Sequence, residues 1–365
     1  MNQPAMLKIN RANVAKSDII PTQTPDESAM QDGTVLFKLD IFGLSTNNIT
    51  YAVLGNTMGY WNFFPVDEQH SQLPVWGYAH VEASTHPGFT HGDRYYGYFP
   101  LGNHLLVKPV KVNPFGFVDA NPARKSMNPV YDHYINVKSD ATYKPEDEAM
   151  QVLYRPLFFT SFLLHDYLKE NNNFGAKQIV VTSASSKTAY GFAALLHAEK
   201  ESANQDYNIV ALTSAKNTDF VNSLGIYDEV IAYDNKSDID NSLATVVVDF
   251  TGNQAMLHEI ADQLGESHLY TSLIGAVQND SLEQLEGKLK QGQFFFAPIQ
   301  AQKCIERWGH QEFNQHYAKA WKLFLDQAKH WVDLEDVNGI EEAQAAYLTL
   351  LSGSPSPRAG MIARI

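Results

Sequence analysis

The feature that most constrains this chain is an alternation of short apolar runs with helical stretches across residues 178–274. The runs are QIVVT (178–182), NIVAL (208–212), EVIAY (229–233), TVVVDF (245–250) and HLYTSLI (268–274). They are rich in Val and Ile and lack the polar alternation of a sheet with one wet face. That pattern predicts strands buried on both faces, as in a parallel sheet. Helices are predicted between them, from about Lys187 to Lys200, over 217–224, near 237–243 and over 253–264. Strands that alternate with helices form βαβ units, and right-handed crossovers wind them into a Rossmann-type doubly wound sheet. Ligands of such a sheet sit at the carboxyl ends of its strands.

The flanks read differently. A helical stretch from Pro156 to Glu170 precedes the block. Before residue 150 come TVLFKLDIFGL, LPVWGYAHVEAS, DRYYGYFPL and NHLLVKPVKV, apolar runs spaced by Gly, Pro, Asn and His. These predict strands, and their many Tyr and Phe suit a pleated surface. Residues 281–330 read as helical, with Trp308, Phe313 and Trp321 as anchors. The tail LLSGSPSPRAGMIARI reads as a turn and a short β-like segment, and the first thirty residues suit either an extra strand or an arm. The expected architecture is α/β with two domains. One is β-rich and partly barrel-like (1–150 and 331–365); the other is Rossmann-type (151–330). At 365 residues, the chain is long enough for both.

Composition excludes several functions. The single Cys304 rules out an intrachain disulfide and any zinc site built from several cysteines. A net charge of −14 argues against nucleic-acid binding, which needs a concentrated basic surface. The N-terminus has no apolar core of a signal peptide, and no run reaches the ~18 apolar residues of a membrane helix. A soluble, cytoplasmic protein is the expectation. No G-x-S-x-G elbow is present, and Cys304, in QKCIERW, reads as a packed thiol. The SSKT segment is not a phosphate-loop motif, because the required glycines would fall at Val181 and Ser186. His80, His86 and His91 cluster loosely, without ligand spacing, so no metal is expected.

Order and local motifs together resemble the zinc-free medium-chain dehydrogenase/reductase superfamily, of the quinone oxidoreductase and enoyl reductase type. FKLDIFGLSTNNITYAVLG (37–55) resembles its early strand and active-site loop. LPVWGYAHVEAS (73–84) resembles its P-x-x-G-x-E segment, with Ala79 replacing the family acid. HGDRYYGY (91–98) resembles its GDRV-x-G turn, and RPLFFTSFLLHDYL (155–168) the helix before the cofactor strand. Residues 339–365 resemble the C-terminal return. The resemblance implies a GroES-like catalytic domain beside the Rossmann domain, an active site in the cleft between them, NADP(H) as cofactor and a homodimer.

The cofactor loop departs from the family. TSASSKTAYG (182–191) puts Ser183, Ser186 and Ala189 where turn glycines would stand. Glycine lets backbone approach a pyrophosphate. Here the hydroxyls of Ser183, Ser185, Ser186 and Thr188, the charge of Lys187 and the helix N-terminus can serve instead. The same residues also suit an ordinary turn with a serine N-cap. After the second strand, TSAKN has no acid to bind a ribose hydroxyl. Ser214, Lys216 and Asn217 offer two neutral donors and a cation, which suits a 2′-phosphate and favours NADP(H) over NAD. The resemblance adds Tyr233 beside the cofactor, Thr160 near the carboxamide, and Gly252 and Gly275 at strand ends near the nicotinamide.

Family zinc ligands would fall at Ser45 and Tyr78, neither suited to zinc. Hydride transfer to a conjugated acceptor builds negative charge on oxygen, and without a metal hydroxyl and amide donors must stabilise it. By resemblance these are Tyr60, where enoyl thioester reductases carry a tyrosine, and Asn48 in the active-site loop. Tyr78 and Tyr51 are nearby phenols, and aromatic packing is the other role open to each. Trp61, Phe63 and Phe64 would line an apolar wall, with FFFAP (294–298) as a further wall or core. The expected activity is NADPH-dependent reduction of an activated C=C or quinone-type carbonyl on a small molecule. The alternatives are an acyl-thioester enoyl reductase or a zinc-free alcohol dehydrogenase, an accessory reductase acting on a tethered intermediate, or a non-catalytic dinucleotide sensor or partner-binding protein.

Overall fold

The computed structural model describes residues 3–122, 129–274, 292–353 and 355–365. The chain divides into two compact units, Met1–Pro156 with Val332–Ile365, and Leu157–Trp331. The first unit opens with β1 (Ala5–Asn10), β2 (Ser17–Pro21), β3 (Val35–Leu44), α1 (Thr46–Val53) and β4 (His70–Gln72). It continues through β5 (Pro74–Ser84), β6 (Arg94–Pro100), β7 (His104–Val107), β8 (Pro109–Asn113), β9 (Gly116–Asp119) and β10 (His133–Asn136). Helix α2 (Glu148–Glu170) contains the division between the units.

The second unit follows as β11 (Gln178–Thr182), α3 (Lys187–Ala203), β12 (Asn208–Thr213), α4 (Thr218–Ser223), β13 (Glu229–Ala232), β14 (Thr245–Asp249) and α5 (Gln254–Leu264). It closes with β15 (His268–Leu273), β16 (Gly292–Phe294) and α6 (Ala297–Ala328). The chain then returns to the first unit through β17 (Asp333–Asn338), α7 (Gly339–Leu351) and β18 (Ala359–Arg364).

In the first unit, β1 pairs antiparallel with both β2 and β4, so the N-terminal residues form a sheet of their own. A larger sheet runs β17-β18-β3-β5-β6-β10-β9-β8, with β7 also on β3. Its core is aromatic. Phe117 and Tyr134 stack at 4.8 Å and 6°, and Phe37 stacks on Phe117 at 5.8 Å. Gly43 lets the first turns of α2 lie on β3: a Cβ there would stand 2.5 Å from the Val152 carbonyl oxygen.

The second unit is one parallel sheet in the order β13-β12-β11-β14-β15-β16. The strand order reverses between β11 and β14, and both strands are buried throughout. Val180, Val210, Leu212 and Val247 pack with Leu257 and Ile260 of α5. Phe158 of α2 stacks on Phe324 of α6 at 4.5 Å. Glu199 of α3 binds His165 and Lys169 of α2, each at 2.9 Å. No described helix is long and apolar enough to cross a membrane.

Three local expectations are corrected. Pro156 does not begin a helix but lies inside α2, which starts at Glu148. No α-helix forms over 237–243. Residues Tyr233–Asp238 are a 3₁₀ turn, and the Asp240 carboxylate accepts from the Ser242 N–H (2.8 Å) and hydroxyl (2.6 Å). Such local side-chain bonds compete with helix. Within 281–330, Gly292–Phe294 adds to the sheet edge beside β15, and helix follows from Ala297; residues 281–291 lie outside the described residues.

Glu199 provides a pH test. The His165 hydrogen bond, the largest cause, and Lys169 hold its carboxyl down at about 2, against burial. A depressed carboxyl contributes stability above its unfolded pKa and loses it as pH falls through the folded value. Glu199→Gln should therefore be less stable than wild type at pH 7. The gap should close between pH ~4.5 and ~2 in chemical denaturation series, and a gap that persists at pH 2 would refute this assignment.

Candidate functional site

The carboxyl end of β11 carries the loop of residues 183–186. Ser183 adopts φ +49°, a left-handed conformation usual for glycine. The Ser186 N–H closes the turn onto the Ser183 carbonyl at 2.7 Å. Ser186 is the N-cap of α3, yet its hydroxyl makes no capping bond, and its buried Oγ has no hydrogen-bond partner among the described residues. A helix N-terminus without a side-chain cap presents amide hydrogens and positive potential to an anion.

Neighbouring strands hold this loop. The Ser183 N–H donates to the Tyr233 hydroxyl at 3.0 Å, and burial pushes that phenol's pKa up. Asn217 Nδ2 (3.0 Å) and Thr213 Oγ1 (3.3 Å) both donate to Ser185 Oγ. From α2, Ser161 Oγ donates to the Thr188 carbonyl at 2.8 Å. Thr160, adjacent to Ser161, and Lys187, the first residue of α3, are half-buried. Ser214 precedes a 3₁₀ turn over Ala215–Asn217, and Lys216 on that turn is exposed, with no ion pair among the described residues. One of the two Asn217 amide hydrogens is thus used on Ser185.

Beside the loop, β14 ends in Asp249, wholly buried. Its Oδ1 accepts from Thr182 Oγ1 (2.6 Å), Thr251 Oγ1 (2.7 Å) and Thr251 N–H (3.1 Å), and its Oδ2 from Gly252 N–H (2.8 Å). Thr182 Oγ1 also accepts the Phe250 N–H at 3.0 Å. Gly252 sits at φ +68° and so fills a turn role. Gly275 lies outside the described residues. Sequence reasoning missed Thr182, Asp249, Thr213 and Ser161. Polar residues closing the apolar runs QIVVT and TVVVDF were the available signal for the first two.

The first unit groups a second set of residues. Tyr51, Tyr60, Phe63, Phe64 and Tyr98 pack together, with Trp76 and Tyr131 against them. The Tyr60 and Tyr131 hydroxyls lie 3.2 Å apart. Burial raises the pKa of Tyr51, Tyr60 and Tyr131, so all three stay protonated donors at neutral pH. Tyr131 gave no sequence signal. Asn48 closes a capping box on α1: its Oδ1 accepts the Ser45 N–H (2.8 Å), and its Nδ2 donates to the Pro74 carbonyl (3.1 Å). Tyr78 is fully buried and donates to Gln151 Oε1 at 2.5 Å. The structure thus gives Asn48 and Tyr78 internal partners and leaves Tyr51 and Tyr60 in the aromatic group.

Of the expected apolar wall, Phe63 and Phe64 join that group. Trp61 instead belongs to the β-rich core, its indole lying over Gly55. Phe294 packs against the parallel-sheet core. His80 pairs with Asp40 (2.7 Å) and His91 with the Glu82 carbonyl (2.9 Å), while His86 Nδ1 accepts the Gly88 N–H. Among the described residues, no three such groups are placed to hold a metal. Cys304 is buried and donates to Asp166 at 3.0 Å; burial, the largest cause, and Asp166 push its pKa up to about 12.

The six-stranded parallel sheet with its order reversal at β11 and β14 and the mostly antiparallel β-rich unit match the two-domain fold of medium-chain dehydrogenases/reductases. The chain belongs to the family described as Protein of unknown function (DUF2855), whose model matches residues 42–355. No curated protein matches it in sequence. Among solved structures it is similar to CurA of Vibrio vulnificus in complex with NADPH, with TM-score 0.63 and 13% identity, over 99% of this chain and 98% of that one. The yhdH oxidoreductase of Salmonella enterica in complex with NADP gives 0.56 and 14%, over 99% of each chain. The quinone oxidoreductase of Coxiella burnetii gives 0.56 and 12%, over 100% of each.

Thr182→Val keeps the side-chain shape and removes the hydroxyl shared by Asp249 and Phe250. Loss of hydrogen bonds to a buried carboxylate should cost about 1–3 kcal/mol. A fall in the thermal midpoint is the expected outcome, and an unchanged midpoint would show that Asp249 does not need this donor.

Proposed function

We propose that this chain is an NADPH-dependent oxidoreductase that reduces an activated C=C or quinone-type carbonyl. The observation that carries the reading is the buried, unpartnered Ser186 hydroxyl at the uncapped N-terminus of α3, where the central strand β11 ends. Structures of the same fold solved with NADPH and NADP support it.

The residues present fit a dinucleotide. The first amides of α3 supply donors for a pyrophosphate, and the Ser186 hydroxyl has no other partner among the described residues to give up. The left-handed Ser183 keeps the loop backbone open to it, as glycine does elsewhere. Lys216, exposed and without an ion pair among the described residues, is the cation for a 2′-phosphate, with Ser214 beside it. Asn217 acts indirectly, by holding Ser185. Tyr233, Thr160, Lys187 and Gly252 complete the proposed cofactor set. When bound, the cofactor supplies hydride. The chain's own task is to orient the acceptor, exclude water and offer a donor where negative charge grows on oxygen. Tyr51 and Tyr60 are the phenols for that task, in an apolar aromatic wall suited to a flat acceptor.

Fluorescence titration of the purified protein with NADPH and NADH, side by side, tests the reading. NADPH should bind at least about tenfold tighter than NADH. Lys216→Ala should weaken NADPH about tenfold and leave NADH unchanged, since only NADPH carries the extra phosphate. Equal losses for both would remove Lys216 from the phosphate site. Binding of neither nucleotide would overturn the proposal and turn attention to a partner-binding role.

A further inference from the structure

Tyr51 differs from the other phenols in how its oxygen is surrounded. Asn47 Nδ2 donates to it at 2.8 Å and Trp76 Nε1 at 3.0 Å. An indole N–H can only donate. Two donors therefore occupy the lone-pair side of the phenol oxygen, and no acceptor among the described residues takes its hydrogen. The backbone of one donor residue and the ring of the other are held. The Asn47 backbone N–H is fixed on Ser45 Oγ at 3.3 Å in the first turn of α1, and Trp76 stacks on Tyr96 at 5.6 Å and 16°. By contrast, Tyr60 and Tyr131 satisfy each other, and either can be the donor.

We propose that Asn47 and Trp76 are positioning residues that make Tyr51 a donor-only hydroxyl. Tyr51 then favours a strong acceptor oxygen, such as the carbonyl oxygen of an enone or quinone as negative charge grows on it, over a neutral hydroxyl, which accepts more weakly. This rests on the reductase reading above and narrows its substrate class. A donor whose hydrogen cannot turn elsewhere is already aimed when charge develops, so little reorganisation is needed. An alcohol can turn its own hydrogen away and still accept, but its neutral oxygen accepts more weakly than an oxyanion does.

The test is equilibrium binding of 4-nitrophenol across its ionisation, because its absorbance reports which form is bound. Wild type should favour phenolate over phenol by about tenfold or more. Tyr51→Phe should abolish the preference. Asn47→Asp replaces a donor with an acceptor that captures the Tyr51 hydrogen, and should lose the preference too. It should fold, because a carboxylate in the first turn of a helix is favourable, and thermal midpoints check this. Trp76→Phe keeps a ring, frees a lone pair and should raise phenol affinity relative to phenolate. To separate hydrogen-bond direction from plain charge repulsion, Asn47→Asp is repeated in the Tyr51→Phe background, where it should have no further effect. Equal binding of both forms by wild type, no binding of either, or an Asn47→Asp effect that survives in that background overturns the proposal. Phenolate preference without NADPH binding would sink the reductase reading alone. NADPH binding without phenolate preference would sink this inference alone.

Discussion

The hydrogen bond between Thr182 and Asp249 joins the two strand ends at which the parallel sheet reverses its order. Everything proposed for the second unit hangs from that junction. A buried carboxylate is tolerable only when its oxygens are filled, and here two threonine hydroxyls and two backbone amides fill them. Thr182 is the last residue of β11, so the same hydroxyl sets where the strand stops and the serine loop begins. Tyr233 then holds the loop through its backbone and Ser161 holds the first turn of α3 that follows it, leaving the Ser186 side chain without a partner among the described residues.

The parallel sheet was legible because its central strands β11, β12 and β14 are written as Val- and Ile-rich runs, the pattern of burial on both faces. The β-rich unit was legible from turn residues between aromatic runs. What failed was local. A proline suggested a helix start where one ran through, because tertiary packing of α2 outweighs the lost hydrogen bond. Acidic and serine residues near 240 looked helical but bonded to their own backbone. Trp61 was read with Phe63 and Phe64, yet it faces a different core, which sequence spacing in a loop cannot reveal.

The site was legible in part and for a similar reason. Residue types and order singled out the loop serines, Lys216 and the phenols. Hydrogen-bond direction, which separates Tyr51 from Tyr60 and turns Asn48 and Tyr78 inward, depends on partners distant in sequence, such as Trp76, Tyr131 and Gln151. Among eighteen tyrosines, type alone could not rank them.

The lone thiol has a practical side. Cys304 is enclosed, hydrogen-bonded to a carboxylate and held protonated far above neutral pH. Maleimide and disulfide reagents act on accessible thiolate, so this enclosed, protonated thiol is expected to react slowly in the folded chain. A single cysteine engineered at any exposed position would therefore carry a spectroscopic reporter at one known place, without first removing the native one.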